Sequence, residues 1–248
     1  MSSTGVEDRG GHPIAWFASR LHRVLDELVE APAWSMTGAE QRTSLVELAR
    51  AEARLTELRL RVLAAGDRND IAAESGATST AAWVAHATRQ PRAAARADLR
   101  LATRLDTAAT ATGTATGAAT GAALAAGDLD VAQARVIVRA IDALPDTVPG
   151  EVRARAERHL ITLAGEHDAI TLAVLGRRVL EVIDPETAEE EEGRKLAAEE
   201  AAAARATYLH LFHHSDGTST GRFKIPTLHA AMLTKMLQAF LTPTNTST

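Results

Sequence analysis

Residues 44–68 read SLVELARAEARLTELRLRVLAAGDR, residues 76–89 read GATSTAAWVAHATR, and residues 91–106 read PRAAARADLRLATRLD. The first stretch is dense in Leu, Arg and Ala, all strong helix formers. Just ahead of it, Thr37-Gly38-Ala39-Glu40 fits a capping box, in which the Thr37 hydroxyl accepts from an amide one turn on and Glu40 reaches back. Leu45, Leu48, Leu55, Leu58 and Val62 recur at helical steps and predict one apolar face. Gly66 and the polar run Asp67-Arg68-Asn69-Asp70 predict where that helix closes. Thr78 or Ser79 then caps a short helix holding Trp83 and Val84, and Pro91 opens another that should last to about Asp106.

The same reading extends in both directions. Residues 1–10 have the composition of a disordered tail. Pro13 opens a helix expected to reach Glu30, with Trp16, Leu21, Val24, Leu25 and Leu28 as its apolar side, and Pro32 ends it. Residues 11–106 therefore form an N-terminal helical part. Residues 107–121, TAATATGTATGAATG, are low in complexity, and Gly113, Gly117 and Gly121 each disfavour helix by about 1 kcal/mol relative to Ala. This tract is read as a linker, with a helix starting near Ala122.

The C-terminal part, 122–241, carries three more stripes. They are Val131, Ala134, Val138 and Ile141; Val152, Ala156, Leu160 and Leu163; and Leu172, Leu175, Val179 and Val182. Short connections between such stripes imply antiparallel neighbours. Residues 186–204 are helix-prone but lack large apolar side chains apart from Leu196, as in an exposed helix. The period then changes to two, predicting a β-hairpin at about 207–225 that turns at Asp216-Gly217. A last helix, Thr227 to Leu241, presents Leu228, Met232, Met236 and Phe240, and residues 242–248 form a second disordered tail. The fold class is mostly α: an antiparallel helical bundle-like architecture with one small β-hairpin near the C-terminus.

Composition narrows the function classes. Aromatics make up 3% of the 248 residues, and much of the apolar content is alanine, which buries little area. A thin core with closely approaching helices is expected, anchored where helices meet by Trp16, Trp34 and Trp83. The net charge of -5 argues against a globally basic coat for nucleic acid, although Glu186, Glu189, Glu190, Glu191 and Glu192 concentrate the acid in one run. No cysteine is present, which excludes disulfides and Cys-ligated zinc. The N-terminus lacks a basic region followed by an apolar one, and no apolar run approaches the roughly 20 residues that span a bilayer. No membrane association and a cytoplasmic location are expected.

Six stretches also carry a family resemblance: ARAEARLTELRLRVLAAGDR, GATSTAAWVAHATR, ARADLRLATRLD, ALAAGDLDVAQARVIVRAIDALP, LEVIDPETAEEEE and LHLFHHSDGTSTGRFKIPTLHAAML. In this order the chain resembles the actinobacterial domain of unknown function 222, from about Trp34 to Phe240. The resemblance implies a largely helical region without an assigned biochemical role, commonly fused to a C-terminal HNH endonuclease domain. Nuclease motifs would lie beyond the position of Pro243 and are absent from this chain. It is therefore expected not to cleave DNA by itself, and a truncated product of an HNH endonuclease-family gene is one expectation for its ending.

The sharpest functional lead is a row of arginines. Arg92, Arg96, Arg100 and Arg104 recur every four residues, drifting only about 40° per step around a helix, and Arg89 extends the row at its N-terminal end. Such a row can follow a phosphate backbone by non-specific contacts. It can equally be a solvated face lying over Ala93, Ala97 and Leu101.

The histidines invite a metal reading. In a strand His210 and His214 share a face, with Asp216 near and His229 the only further ligand, while His213 points the other way. That set is incomplete, and no asparagine completes an HNH-like arrangement. No metal site, cofactor or catalytic residue is assigned. Phosphate-loop, GxSxG and HExxH motifs are absent as well. The expected function is a non-catalytic helical module associated with nucleic acid through the arginine stripe, positioning or regulating a nuclease. The rival is a helical protein-interaction or oligomerisation domain.

Overall fold

The computed structural model describes residues 11–106 and 117–241, and the tails and most of the expected linker lie outside that range. Among the described residues there are twelve α-helices, a short 3-10 turn at Ala33–Ser35 and one two-stranded hairpin. The helices are α1 (Pro13–Asp26), α2 (Gly38–Arg68), α3 (Ile71–Glu74), α4 (Thr80–Thr88), α5 (Arg92–Leu105), α6 (Ala118–Ala126), α7 (Val131–Asp142), α8 (Gly150–Ala164), α9 (Ala169–Gly176), α10 (Val179–Ile183), α11 (Pro185–Arg205) and α12 (Thr227–Leu241). The strands β1 (Tyr208–His213) and β2 (Ser219–Lys224) pair antiparallel, with His210 opposite Arg222 and His213 opposite Ser219. The mostly helical class with a hairpin near the C-terminus is what the sequence predicts.

Local chemistry sets several helix starts. The Thr37 hydroxyl accepts from the Glu40 amide at 3.3 Å, and the Glu40 carboxylate accepts from the Thr37 amide at 2.7 Å, completing the capping box of α2. Ser79 caps α4, Asp130 and Gln133 form a second box at α7, and Asp168 caps α9. α2 ends two residues beyond Gly66, which is tolerated inside the helix. A β-carbon there would lie 2.9 Å from the Ile71 side chain of α3, so the missing side chain lets α3 fold back tightly.

The core is assembled from α2, α4, α5, α6, α7, α8, α9 and α10. Its largest enclosed side chains are Leu60, Leu124, Ile137, Ile141, Leu160, Leu172 and Val179. Ala53, Ala64, Ala95, Ala102, Ala134 and Ala156 fill the rest, so helices approach closely, as the composition implies. Gly176 of α9 shows how closely: a β-carbon there would sit 2.9 Å from the Ala140 β-carbon of α7. From α11 onward the character changes. α11 buries no residue, and every position of β1 and β2 is exposed.

Several expectations are corrected. The expected apolar face of α2 is not the one in the core: Leu45, Leu48, Leu55 and Val62 are exposed, whereas Ala53, Leu60, Leu63 and Ala64 are buried. Tryptophans are not the helix-crossing anchors either. Trp34 is 85% exposed and Trp83 is 37% exposed, while Trp16 is partly covered beside the Arg20 guanidinium. α1 stops at Asp26 rather than Glu30. The third C-terminal stripe is split into α9 and α10, which break at Arg177-Arg178, and Val182 faces solvent. α6 starts at Ala118, four residues ahead of Ala122, inside the tract read as linker. The reason is a buried carboxylate from α8. Glu157 accepts from the Thr120 amide at 2.8 Å, the Thr120 hydroxyl at 2.7 Å and the Gly117 amide at 3.3 Å, satisfying the first amides of α6. Residues 107–116 of that tract, and the Phe240 side chain, lie outside the described residues.

Candidate nucleic-acid interface

α5 turns Ala95, Asp98, Leu101 and Ala102 into the core. Arg92, Arg96, Arg100 and Arg104 consequently lie exposed on the other side of the helix. Arg89 is not on α5. It terminates α4 in a left-handed conformation, φ +57°, just ahead of the α5 start.

Beside the row, α7 contributes arginines that the sequence reading did not include. Ala134, Ile137 and Ile141 fix the buried face of α7, and this sets Arg135 and Arg139 toward α5. A groove of about 230 Å³ between the two helices is lined by Ala97, Arg100, Leu101, Arg104, Arg135, Val138, Arg139 and Asp142. A second hollow of about 220 Å³ adjoins it through Arg139 and carries Arg177 at the end of α9. Five guanidinium groups, those of Arg100, Arg104, Arg135, Arg139 and Arg177, thus line two hollows that share Arg139.

Two carboxylates divide these cations into roles. Asp98 is 3% exposed and takes Arg59 of α2 at 2.9 Å on one oxygen and Arg135 of α7 on the other. A buried carboxylate needs such partners, because an unpaired charge in the interior is costly. Asp142 holds Arg104 through both oxygens, with Nε to Oδ2 at 3.0 Å. Arg104 and Arg135 are therefore engaged within the protein. Among the described residues, Arg92, Arg96, Arg100, Arg139 and Arg177 have no side-chain hydrogen bond or ion pair.

The other polar residues of interest have ordinary structural partners. Arg153 donates to the carbonyls of Ile141, Leu144, Pro145 and Val148 and ties down the α7–α8 connection. His213 Nδ1 meets the Ser219 hydroxyl at 2.7 Å, and His214 meets the Thr220 hydroxyl. Among the described residues no three His, Asp or Glu side chains converge as metal ligands. Asp216 orders the hairpin turn by accepting from the Thr218 hydroxyl at 2.6 Å and its amide at 2.9 Å, which lowers its carboxyl pKa from the ordinary range. No described helix is long and apolar enough to cross a membrane.

The missed residues were recoverable in part. Arg135 and Arg139 stand four apart on an amphipathic helix, the same signal that marks the α5 row. What the sequence does not show is that two helices separated by residues 106–130 set these rows side by side.

No curated protein and no solved structure matches the chain. The model of a family described as "Domain of unknown function (DUF222)" matches residues 39–247, from the first turn of α2 to the C-terminal tail. The chain belongs to the DUF222 family.

Proposed function

We propose that this chain is a non-catalytic helical module that associates with nucleic acid through its arginine groove, and that in longer relatives it positions or regulates a nuclease. The observation that carries the reading is the convergence of Arg100 of α5 with Arg139 of α7 on one depression, without acid partners. Arg92 and Arg96 continue the row along α5. Guanidinium groups suit phosphate because their planar fork donates two parallel hydrogen bonds. The groove walls contributed by Ala97, Leu101 and Val138 are aliphatic, so no aromatic platform favours base stacking there. Contacts to the sugar-phosphate backbone, with little sequence preference, follow from that composition.

Fluorescence anisotropy with a labelled DNA duplex, titrated at several salt concentrations, tests the reading. Phosphate contacts release counterions, so affinity should fall steeply with salt. An Arg100→Ala/Arg139→Ala variant should reduce the log–log slope by about two, roughly one per contacting arginine. Failure to bind at low salt, or binding indifferent to this variant, would reject the proposal.

A second reading has its own observation. Met232 and Met236 of α12 are 52% and 60% exposed, and a flexible methionine face suits a protein partner. Association through that face should persist or strengthen as salt rises.

A further inference from the structure

A hollow larger than the arginine groove lies between α1 and α2. It measures about 630 Å³; Phe17, Leu21 and Leu25 of α1 and Leu48, Leu55 and Leu58 of α2 form its apolar wall, and Glu52, Arg54, Glu57 and Arg61 stand at it as well. α1 buries no residue at all, and the first 15 residues of α2, before Ala53, bury none either. The two segments form a helical arm whose apolar side is open.

The spacing on this arm is that of a helix pairing with further helices. Ile14, Phe17, Leu21 and Val24 follow one another at steps of three, four and three. Leu48, Ala51, Leu55, Leu58 and Val62 step by three, four, three and four. This 3.5-residue period keeps one seam facing a partner along the whole helix. The seams explain why the leucines predicted as the buried face of α2 are outside the core of the single chain.

We infer that the α1–α2 arm pairs with the arm of a second copy of this chain, two helices from each forming a four-helix bundle around a two-fold axis. The exposed area has the size a stable dimer requires. Phe17, Leu25, Val29, Leu45, Leu48 and Leu55 are each between 40% and 72% exposed. A half-exposed side chain of this kind leaves about 100 Å² of apolar surface in water. With Val24 and Leu28, which are similarly open, the patch comes to about 800 Å², the area per partner of a specific interface. It also exceeds what monomeric proteins ordinarily leave exposed.

Charge favours a copy over a partner of one sign. Arg20 and Arg23 accompany Asp26 and Glu27 on α1, and Arg50 and Arg54 alternate with Glu47 and Glu52 on α2. Both signs on each helix make the rim self-complementary under a two-fold axis.

Sedimentation equilibrium of the full chain tests the inference. The expected mass is twice 26.2 kDa, and a Leu25→Glu/Leu48→Glu variant should weaken association by at least about 100-fold. Met232→Glu/Met236→Glu on α12 should leave the dimer intact. Hydrogen exchange of the unmodified chain provides a readout independent of variant folding, because protection over 13–26 and 44–58 should rise with protein concentration. A monomer at about 100 µM, a dimer that survives the arm variant, loss of the dimer only in the α12 variant, or exchange in the arm independent of concentration would each overturn the inference.

Discussion

Replacing Glu157 should unfold the junction between α6 and α8 disproportionately to its size. The carboxylate is 3% exposed and accepts three hydrogen bonds, from the Gly117 and Thr120 amides and the Thr120 hydroxyl. Thr120 is itself fully enclosed. In Glu157→Ala both amides lose their acceptor where water does not reach, at about 1–3 kcal/mol for each stranded group. The hydroxyl can rotate and the void is small, so the total should be about 3–5 kcal/mol. That is a large share of the roughly 5–15 kcal/mol that stabilises a typical domain. Glu157→Gln keeps an acceptor for Thr120 but turns an NH₂ toward the Gly117 amide, and should cost about 2 kcal/mol. Urea melts followed by circular dichroism measure both, with Glu199→Ala on the exposed α11 as a control expected within about 0.5 kcal/mol. An alanine variant costing less than about 1 kcal/mol, or a glutamine variant indistinguishable from the control, would refute the claim that this carboxylate caps α6.

Further outcomes follow from other positions. Gly117→Ala should be as damaging as the loss of Glu157, because φ is +108° and a β-carbon would lie 2.4 Å from the Arg104 carbonyl oxygen. A thermal melt retaining the parent midpoint would contradict that geometry. Leu60→Ala in the core should cost about 2–5 kcal/mol, whereas Val62→Ala, 44% exposed two residues on, should stay within about 0.5 kcal/mol in dilute protein. Equal losses by denaturant titration would restore the face first predicted from sequence. The pKa values of Glu40 and Asp168 are lowered chiefly by backbone amides, those of Thr37 and Thr171 respectively. The folded state therefore binds fewer protons than the unfolded one. Their contribution is complete above the ordinary values of 4.5 and 3.8 and is lost as pH falls through the lowered ones. Asp168→Asn should show a shallower acid loss than the parent in urea titrations repeated from pH 6 downward.

The elements that depend on neighbours in sequence were legible. Thr37 and Glu40 sit three residues apart, so their capping box reads directly from the chain, as do the Asp216-Gly217 turn and the α5 arginines. The burial of α2 was not legible, for two reasons. Its core face is built partly from Ala53 and Ala64, which contribute almost nothing to an apolar pattern, and its larger leucines belong to a different seam. The start of α6 was hidden because its cap comes from Glu157, 37 residues beyond Thr120. The same distance separates Asp98 from Arg135, so the α7 wall of the arginine groove was missed although both rows have a four-residue signature.

The two acids beside that groove limit how much of its charge can reach a ligand. Arg59 and Arg135 are committed to Asp98, and Arg104 to Asp142. The tally of basic residues therefore overstates the electrostatic reach of this face. Arg92, Arg96, Arg100, Arg139 and Arg177 remain on offer, and on the proposed nucleic-acid reading five phosphates neutralised would correspond to a salt slope of about −4.5. Binding of that order would be tunable, firm in dilute buffer and readily reversed near physiological ionic strength. The pairings also hold α2, α5 and α7 at a set separation before any ligand arrives, so the outward guanidinium groups stand on a frame that does not need to be ordered on contact. A ligand that drew Arg135 outward would leave Asp98 with Arg59 alone and free α7 from its tie to α5. On the proposed reading, the groove would be a surface that a polyanion tracks along without entering.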